Sequence, residues 1–319
     1  MRQISLAAVE DAATHVYRAA VRTPLIRLDL PSGEGPEIYL KLESLQPIGS
    51  FKIRGAWNAV RKLTPEQMTD GVWTVSAGNA AQGVALSARL AGASCSVMVM
   101  DTAPQAKLRA IETLGASIVK VSYDECWQTV QNHASPRMRG HFVHPFDDDD
   151  FIAGNATAGL EILEDLPEVD AVVAALGGGG LLSGIGSVMR ARKPGVRIYA
   201  AEPETAAPLD VSLKRGEPSW FEGWRPSFVD GAGGKSVLPT MWPLLKNLVD
   251  GSIVMPLDDV AAAMRKTADR VHVVAEGAAG TAIAAALSGK AGTGKIVAVV
   301  SGGNIDLSRF AELVAQPTP

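Results

Sequence analysis

Lys52 lies in the run Ser50-Phe51-Lys52-Ile53-Arg54-Gly55-Ala56, between an aromatic and a β-branched residue, with a second cation two positions on. A lysine withdrawn from water and set near another cation shifts toward the neutral amine, the form that attacks an aldehyde. The same spacing also suits a lysine snorkelling from a helix start. Three small-residue turns could work with it: Ser76-Ala77-Gly78-Asn79-Ala80, Gly177-Gly178-Gly179-Gly180-Leu181 and Ser301-Gly302-Gly303-Asn304. Each follows an apolar run. Four consecutive glycines let backbone N–H groups approach a phosphate at a helix N-terminus, and they equally suit a tight turn. A P-loop would end in Gly-Lys-Ser/Thr, where Leu181-Leu182 stands, and the dinucleotide fingerprint fails at its third glycine, which is Ser183. A phosphate-bearing small molecule is therefore favoured over a nucleoside triphosphate or NAD.

The elements that must hold these turns read as alternating strands and helices. An amphipathic helix over 5–20 opens at Ser5, a strand covers 38–43, and Ser50 is the expected N-cap of a helix reaching about Leu63. Strands are expected at 71–75, 95–100, 117–121, 141–143, 171–176, 197–201 and 295–300, with helices between them. The acidic run Asp147–Asp150 reads as a turn at a lobe boundary, followed by a helix from about Ala156. Residues 203–250, with Pro203, Pro208, Pro218, Pro226, Pro239 and Pro243, read as an irregular rim. This pattern predicts an α/β chain of two lobes with parallel open sheets flanked by helices, ligands gathering at the carboxyl ends of the strands.

Composition narrows the function. The 319 residues are 47% hydrophobic and 20% charged, long enough for two cores, and the net charge of −4 gives no reason to expect nucleic acid or an anionic membrane as partner. Cys95 and Cys126 form no C-x-x-C pair and read as inert thiols. The N-terminal stretch carries acidic residues on a helical period rather than a signal sequence, and no apolar run reaches membrane-spanning length, so the cytoplasm is expected.

Taken in order, S-F-K-x-R-G-A, S-A-G-N-x-A-Q-G-V-A, G-G-G-G-L-x-S-G, E-G-A-x-G and S-G-G-N closely resemble the fold-type II (tryptophan synthase β-like) pyridoxal-phosphate enzymes, nearest to the serine/threonine dehydratase branch. The resemblance spans nearly the whole chain. It implies a large cofactor domain from 1–65 and 145–319, a small mobile domain from 66–144, and a homodimer. Lys52 would carry pyridoxal 5′-phosphate as a Schiff base and act as the base at Cα, with Phe51 flanking the ring. Gly177, Gly178, Gly179, Gly180 and the Leu181 amide would hold the phosphate. Asn79 would meet the ring hydroxyl and Ser301 the ring nitrogen, while Ser76, Ala77, Gly78, Asn79 and Ala80 would bind the amino-acid substrate. A hydroxyl cannot keep the ring nitrogen protonated as a carboxylate would, which favours rapid loss of a β leaving group. The implied activity is elimination of water from a serine- or threonine-like β-hydroxy-amino acid, or a bulkier one such as those of hydroxyectoine-utilisation dehydratases, giving a 2-oxo acid and ammonia.

Several positions depart from the resemblance. Racemases of the family carry a second serine where Ala77 stands, so racemisation is not expected. Ala80 replaces a histidine and is either drift at a packing position or the mark of a roomier pocket. Relatives bind a divalent cation through a glutamate, a carbonyl and an acidic residue; Glu202 and Ala206 match, Pro208 takes the acidic position, and Asp210 is a substitute, so no metal is expected. The G-Q-G-T segment reads Gly154-Asn155-Ala156-Thr157. Glu276 would lie near the cofactor in relatives, although it also suits a helix start, and His144 is expected to be a structural residue at the lobe junction. Asp230 and Gly231 precede a stretch that approaches the substrate in relatives. The chain ends 15 residues after Asn304, from which unregulated, catabolic use is expected. The rival readings are a β-replacement synthase, disfavoured by Val75-Ser76-Ala77 in place of a Thr-Ser-Gly-Asn pattern, and a non-catalytic binding module, which would need neither Lys52 nor Ser301.

Overall fold

The computed structural model describes residues 2–30 and 35–315. Six strands form the larger sheet: β1 (Leu25–Arg27), β2 (Glu37–Lys41), β10 (Lys295–Val299), β7 (Ala171–Ala175), β8 (Arg197–Pro203) and β9 (Gly251–Met255), in that spatial order. Four form the smaller: β5 (Ser117–Val121), β4 (Cys95–Met100), β3 (Val72–Val75) and β6 (His141–Phe142). Every pairing is parallel except β1 with β2. The expected α/β architecture with parallel sheets therefore holds.

The strand sequences explain the layering. β7 is Ala-Val-Val-Ala-Ala, buried throughout, as a central parallel strand with helices on both faces requires. One apolar cluster fills each face of the larger sheet, and a third, built on Val72, Val97 and Val99, packs under the helices of the smaller.

Three local expectations are corrected. The acidic run is not a turn before a helix at 156: the helix spans Asp149–Asp165, the Asp148 carboxylate capping it by accepting from the Phe151 N–H at 2.8 Å. Asp149 and Asp150 occupy its first turn, where carboxylates meet the positive end of the helix dipole. The rim at 203–250 contains helices Pro208–Arg215 and Trp242–Leu248, each with proline in its first turn, where the missing N–H costs nothing. Ser50 does not cap the next helix, which runs Lys52–Arg61 from Phe51 without a side-chain cap. The Ser50 backbone instead bridges to Gly302.

Helix Asp149–Asp165 organises the site. A Cβ at Gly154 would lie 2.4 Å from the Arg54 carbonyl, and one at Gly55 would lie 2.3 Å from the Phe151 ring. On its other side, a Cβ at Gly184 would come 2.8 Å from the Ile152 carbonyl. The helix that carries Lys52 and the helix that follows the glycine turn are thus drawn onto one central helix at backbone contact.

Candidate active site

Lys52 opens helix Lys52–Arg61, and the Phe51 N–H donates to the Ser301 carbonyl at 3.0 Å. This fixes the lysine to the turn that follows β10. Its Nζ donates to the Pro145 carbonyl at 2.5 Å and stands 5.2 and 5.3 Å from the ring centroids of Phe51 and Phe151. Loss of solvent pushes its pKa down to about 8, the Glu276 carboxylate opposing that fall. Arg54 takes no part, contrary to the expectation of a helping cation. Two positions on along a helix its side chain leaves by another face, and it is spent on Glu43 at 2.7 Å and Glu161 at 2.6 Å in the core.

The expected turns are tied to the lysine segment by a chain of contacts. After β3, the Gly78 N–H donates to Ser76 Oγ at 3.1 Å, and a helix starts at Asn79 without a side-chain cap. Ala77 is half-buried and Ala80 is buried in that first turn. Asn79 is held from both sides: its Nδ2 donates to Glu276 Oε1 at 2.9 Å, and its Oδ1 accepts from Asn304 Nδ2 at 2.8 Å. Gly302 lets Glu276 approach closely, since a Cβ there would lie 2.5 Å from Glu276 Oε1 and displace that side chain. Burial pushes the Glu276 carboxyl up to about 7, with Asp230 adding to the rise and the Asn79 hydrogen bond opposing it. Ser301 is buried beside Phe51.

The glycine turn leaves β7 and enters helix Gly180–Arg192 through Gly179, which adopts φ +94° and provides no cap. The first amides of that helix therefore lack side-chain partners. A Cβ at Gly178 would lie 2.1 Å from the Phe146 ring, one at Gly180 would lie 2.9 Å from the Phe146 carbonyl, and one at Gly177 would lie 2.8 Å from the Gly231 carbonyl. Phe146 thus joins the glycine turn to Pro145, the residue that holds Lys52. The arrangement fits a phosphorylated aldehyde: a desolvated amine with a neutral carbonyl partner, and an uncapped helix start that only glycines can line.

Other residues singled out in the sequence serve the scaffold. His144 is structural, as expected, and is not aimed at the site. Its Nδ1 accepts from the Asp147 N–H at 2.8 Å and its Nε2–H donates to the Val130 carbonyl at 3.1 Å, while burial lowers its pKa to about 3. Glu202 accepts from the Leu209 and Asp210 N–H groups, each at 2.8 Å, and from Ser252 Oγ at 2.5 Å; Asp210 turns to Lys214 at 2.6 Å. The helix start made by Pro208 so occupies the Glu202 carboxylate. Asn155 is buried with its amide unpartnered among the described residues. Sequence reasoning missed Phe146, and it gave no role to Asn304, although the S-G-G-N turn had marked that position. It also missed the ion pair of Lys107 with Asp230, which joins helix Gln105–Thr113 to the rim.

A desolvated lysine tied through Pro145 and Phe146 to an uncapped glycine turn at a strand end of a parallel sheet marks a cofactor-dependent α/β enzyme. The family described as pyridoxal-phosphate dependent enzymes matches residues 16–302, and this chain belongs to it. The L-threonine ammonia-lyase of Thermotoga maritima is 37% identical over 315 residues, covering 98% of this chain and 78% of that protein. A catabolic L-threonine dehydratase of Staphylococcus aureus is 34% identical over 321 residues, covering 98% and 92%. The structure of maize serine racemase superposes with a TM-score of 0.89 at 30% identity, covering 98% of this chain and 97% of that one.

Proposed function

We propose that the chain eliminates water from a β-hydroxy-α-amino acid, releasing a 2-oxo acid and ammonia. The observation that carries this reading is Lys52, an amine with its pKa lowered to about 8 and linked through Pro145 and Phe146 to an uncapped glycine turn. The threonine ammonia-lyase and dehydratase likenesses support the same reaction. Pyridoxal phosphate, when bound, supplies an aldehyde that takes up amines and a conjugated ring that draws electrons from Cα.

The chain's own residues do the rest. Lys52 removes the Cα proton, a task for which a pKa near neutrality is suited. Amides of Gly177–Leu181 would hold the phosphate, and Phe51 would bound the ring. Asn79, oriented by Glu276 and Asn304, keeps one N–H that would donate to the ring hydroxyl. Ser301 would hydrogen-bond the ring nitrogen without protonating it, which disfavours a long-lived charge at Cα, and the β-hydroxyl would depart as water, balanced by the proton taken from Cα. The Ser76–Asn79 turn receives the substrate carboxylate, and Ala77 offers no proton to the opposite face of Cα, which disfavours racemisation. The released enamine becomes an imine and is hydrolysed in water.

Around this chemistry, residues 66–144 act as a small mobile domain on the larger one formed by 1–65 and 145–319. The working form is a cytoplasmic homodimer. Exposed Tyr17, Val21 and Leu45, the latter two joined through Gln46, support a subunit contact. Free, buried Cys95 and Cys126 suit a reducing compartment.

The test is 2-oxo acid and ammonia release from L-serine, L-threonine, the threo-3-hydroxyaspartates, phenylserine and hydroxyectoine-derived amino acids, with Lys52→Ala as control. Turnover is expected to fall by about 10³-fold or more in the variant, and borohydride is expected to fix the cofactor on Lys52. Activity confined to a bulkier substrate assigns specificity to Ala80. A wild-type protein that stays colourless with added cofactor sinks the reading.

A further inference from the structure

We propose that Lys235 is a positioning residue that fastens the 217–236 segment over the active site by seating its ammonium in an aromatic cage. Its Nζ stands 4.3 Å from the ring centroid of Trp224, 4.5 Å from that of Tyr123 and 5.8 Å from that of Trp220. Among the described residues no carboxylate pairs with it, so the rings' negative faces are its electrostatic partners.

The cage joins two parts of the molecule. Trp220, Trp224 and Lys235 belong to one folded segment: Trp220 bridges to Ser236, the Phe221 N–H donates to the Lys235 carbonyl at 2.8 Å, and Trp224 Nε1–H donates to the Gly233 carbonyl at 2.9 Å. Tyr123 starts helix Tyr123–Asn132, which packs on β3 and β4 of the four-stranded sheet. A cation carried by one sheet's rim is therefore held by a ring carried by the other sheet's helix.

What the fastening positions is Asp230–Gly231. The Gly231 carbonyl closes over the glycine turn, 2.8 Å from where a Cβ at Gly177 would lie, and a Cβ at Gly231 would stand 3.5 Å from Glu276 Oε1. Asp230 pairs with Lys107, again from the four-stranded sheet's side. Releasing Lys235 would free this roof without touching a group that meets substrate.

The inference rests on the elimination reading, and the experiment separates the two. Lys235→Met keeps the stem and removes the charge; Lys235→Arg keeps a cation able to stack on rings; Tyr123→Leu removes the far wall. Lys235→Met and Tyr123→Leu are expected to raise KM about tenfold, with kcat held within about threefold. The same two variants should make tryptophan emission more readily quenched by acrylamide. Lys235→Arg should match wild type in both readouts, and matched melting temperatures show that each variant is folded. Wild-type KM and quenching in Lys235→Met, or an arginine variant as impaired as the methionine one, overturns the proposal. Should wild type turn over no substrate, the elimination reading fails, while the quenching contrast among folded variants still decides whether the cage fastens the segment.

Discussion

A lysine in water keeps its proton to about pH 10.4, whereas Lys52 titrates at about 8 because it is desolvated between Phe51, Phe151 and the Pro145 carbonyl. Its neutral form is the nucleophile, so the rate at which cofactor-free protein bonds the aldehyde is expected to rise with pH through about 8 and then level off. Stopped-flow absorbance measures it. Glu276, ionised above about pH 7, stabilises the lysine cation, so Glu276→Gln should move the inflection to lower pH. A profile still climbing beyond about pH 10 would mean that the amine is solvated. At this scale Asn79 also acquires a direction. An amide can be flipped, but with Glu276 accepting from its nitrogen and Asn304 donating to its oxygen only one orientation is satisfied.

Helix Asp149–Asp165 sets where the lysine and the glycine turn meet, and it does so through absent side chains. Gly154 faces the Arg54 carbonyl so closely that the methyl of Gly154→Ala would lie 2.4 Å from that oxygen and 2.7 Å from Asn58 Cβ. Backbone cannot swing aside as a side-chain tip can, so the helices must part. Denaturant titration should show a loss of about 1–3 kcal/mol, together with weaker cofactor retention because Lys52 moves with its helix. Gly195→Ala, with nothing within 4 Å of the added carbon and an unexceptional φ, is the control and should stay within about 0.5 kcal/mol of wild type.

Across the whole molecule, the N-terminal region, β2, the lysine helix and the central helix converge on one buried ionic cluster. Arg54 bonds Glu43 and Glu161; Lys41 bonds Glu161 and the Thr23 carbonyl; Tyr17 donates to Glu161 at 2.7 Å. Burial alone would push the Glu161 carboxyl up, but the charges and hydrogen bonds of Arg54 and Lys41 outweigh it and hold it below the usual carboxylate range. Its folded pKa is thus lower than its unfolded one. The stability this provides is present above about pH 4.3 and is lost as pH falls through the lowered folded value. Glu161→Leu strands Arg54 and Lys41 with excess positive charge, and equilibrium unfolding at neutral pH should record a loss of about 3–5 kcal/mol. Its unfolding free energy should also fall less steeply than that of wild type on acidification.

The sequence by itself determined what local spacing can encode. Apolar runs became parallel strands, as at β4 and β7, because a buried strand must be apolar wherever it lies. The Gly177–Gly180 turn and Lys52 were legible because their chemistry is unusual for their positions. Only the tertiary structure decided the rest. Whether Ser50 or Phe51 precedes the helix, and whether Asp148 caps one, depends on which backbone groups the neighbouring chain leaves unpaired. Arg54, expected to assist Lys52, is claimed by Glu161, 107 residues away. Glu276 reaches Asn79 across 197 residues, and Lys235 finds Tyr123 on the other sheet's helix. Such contacts carry no periodicity. They arise when packing brings distant strand ends together, and an ammonium or carboxyl then takes its character from the groups it meets there.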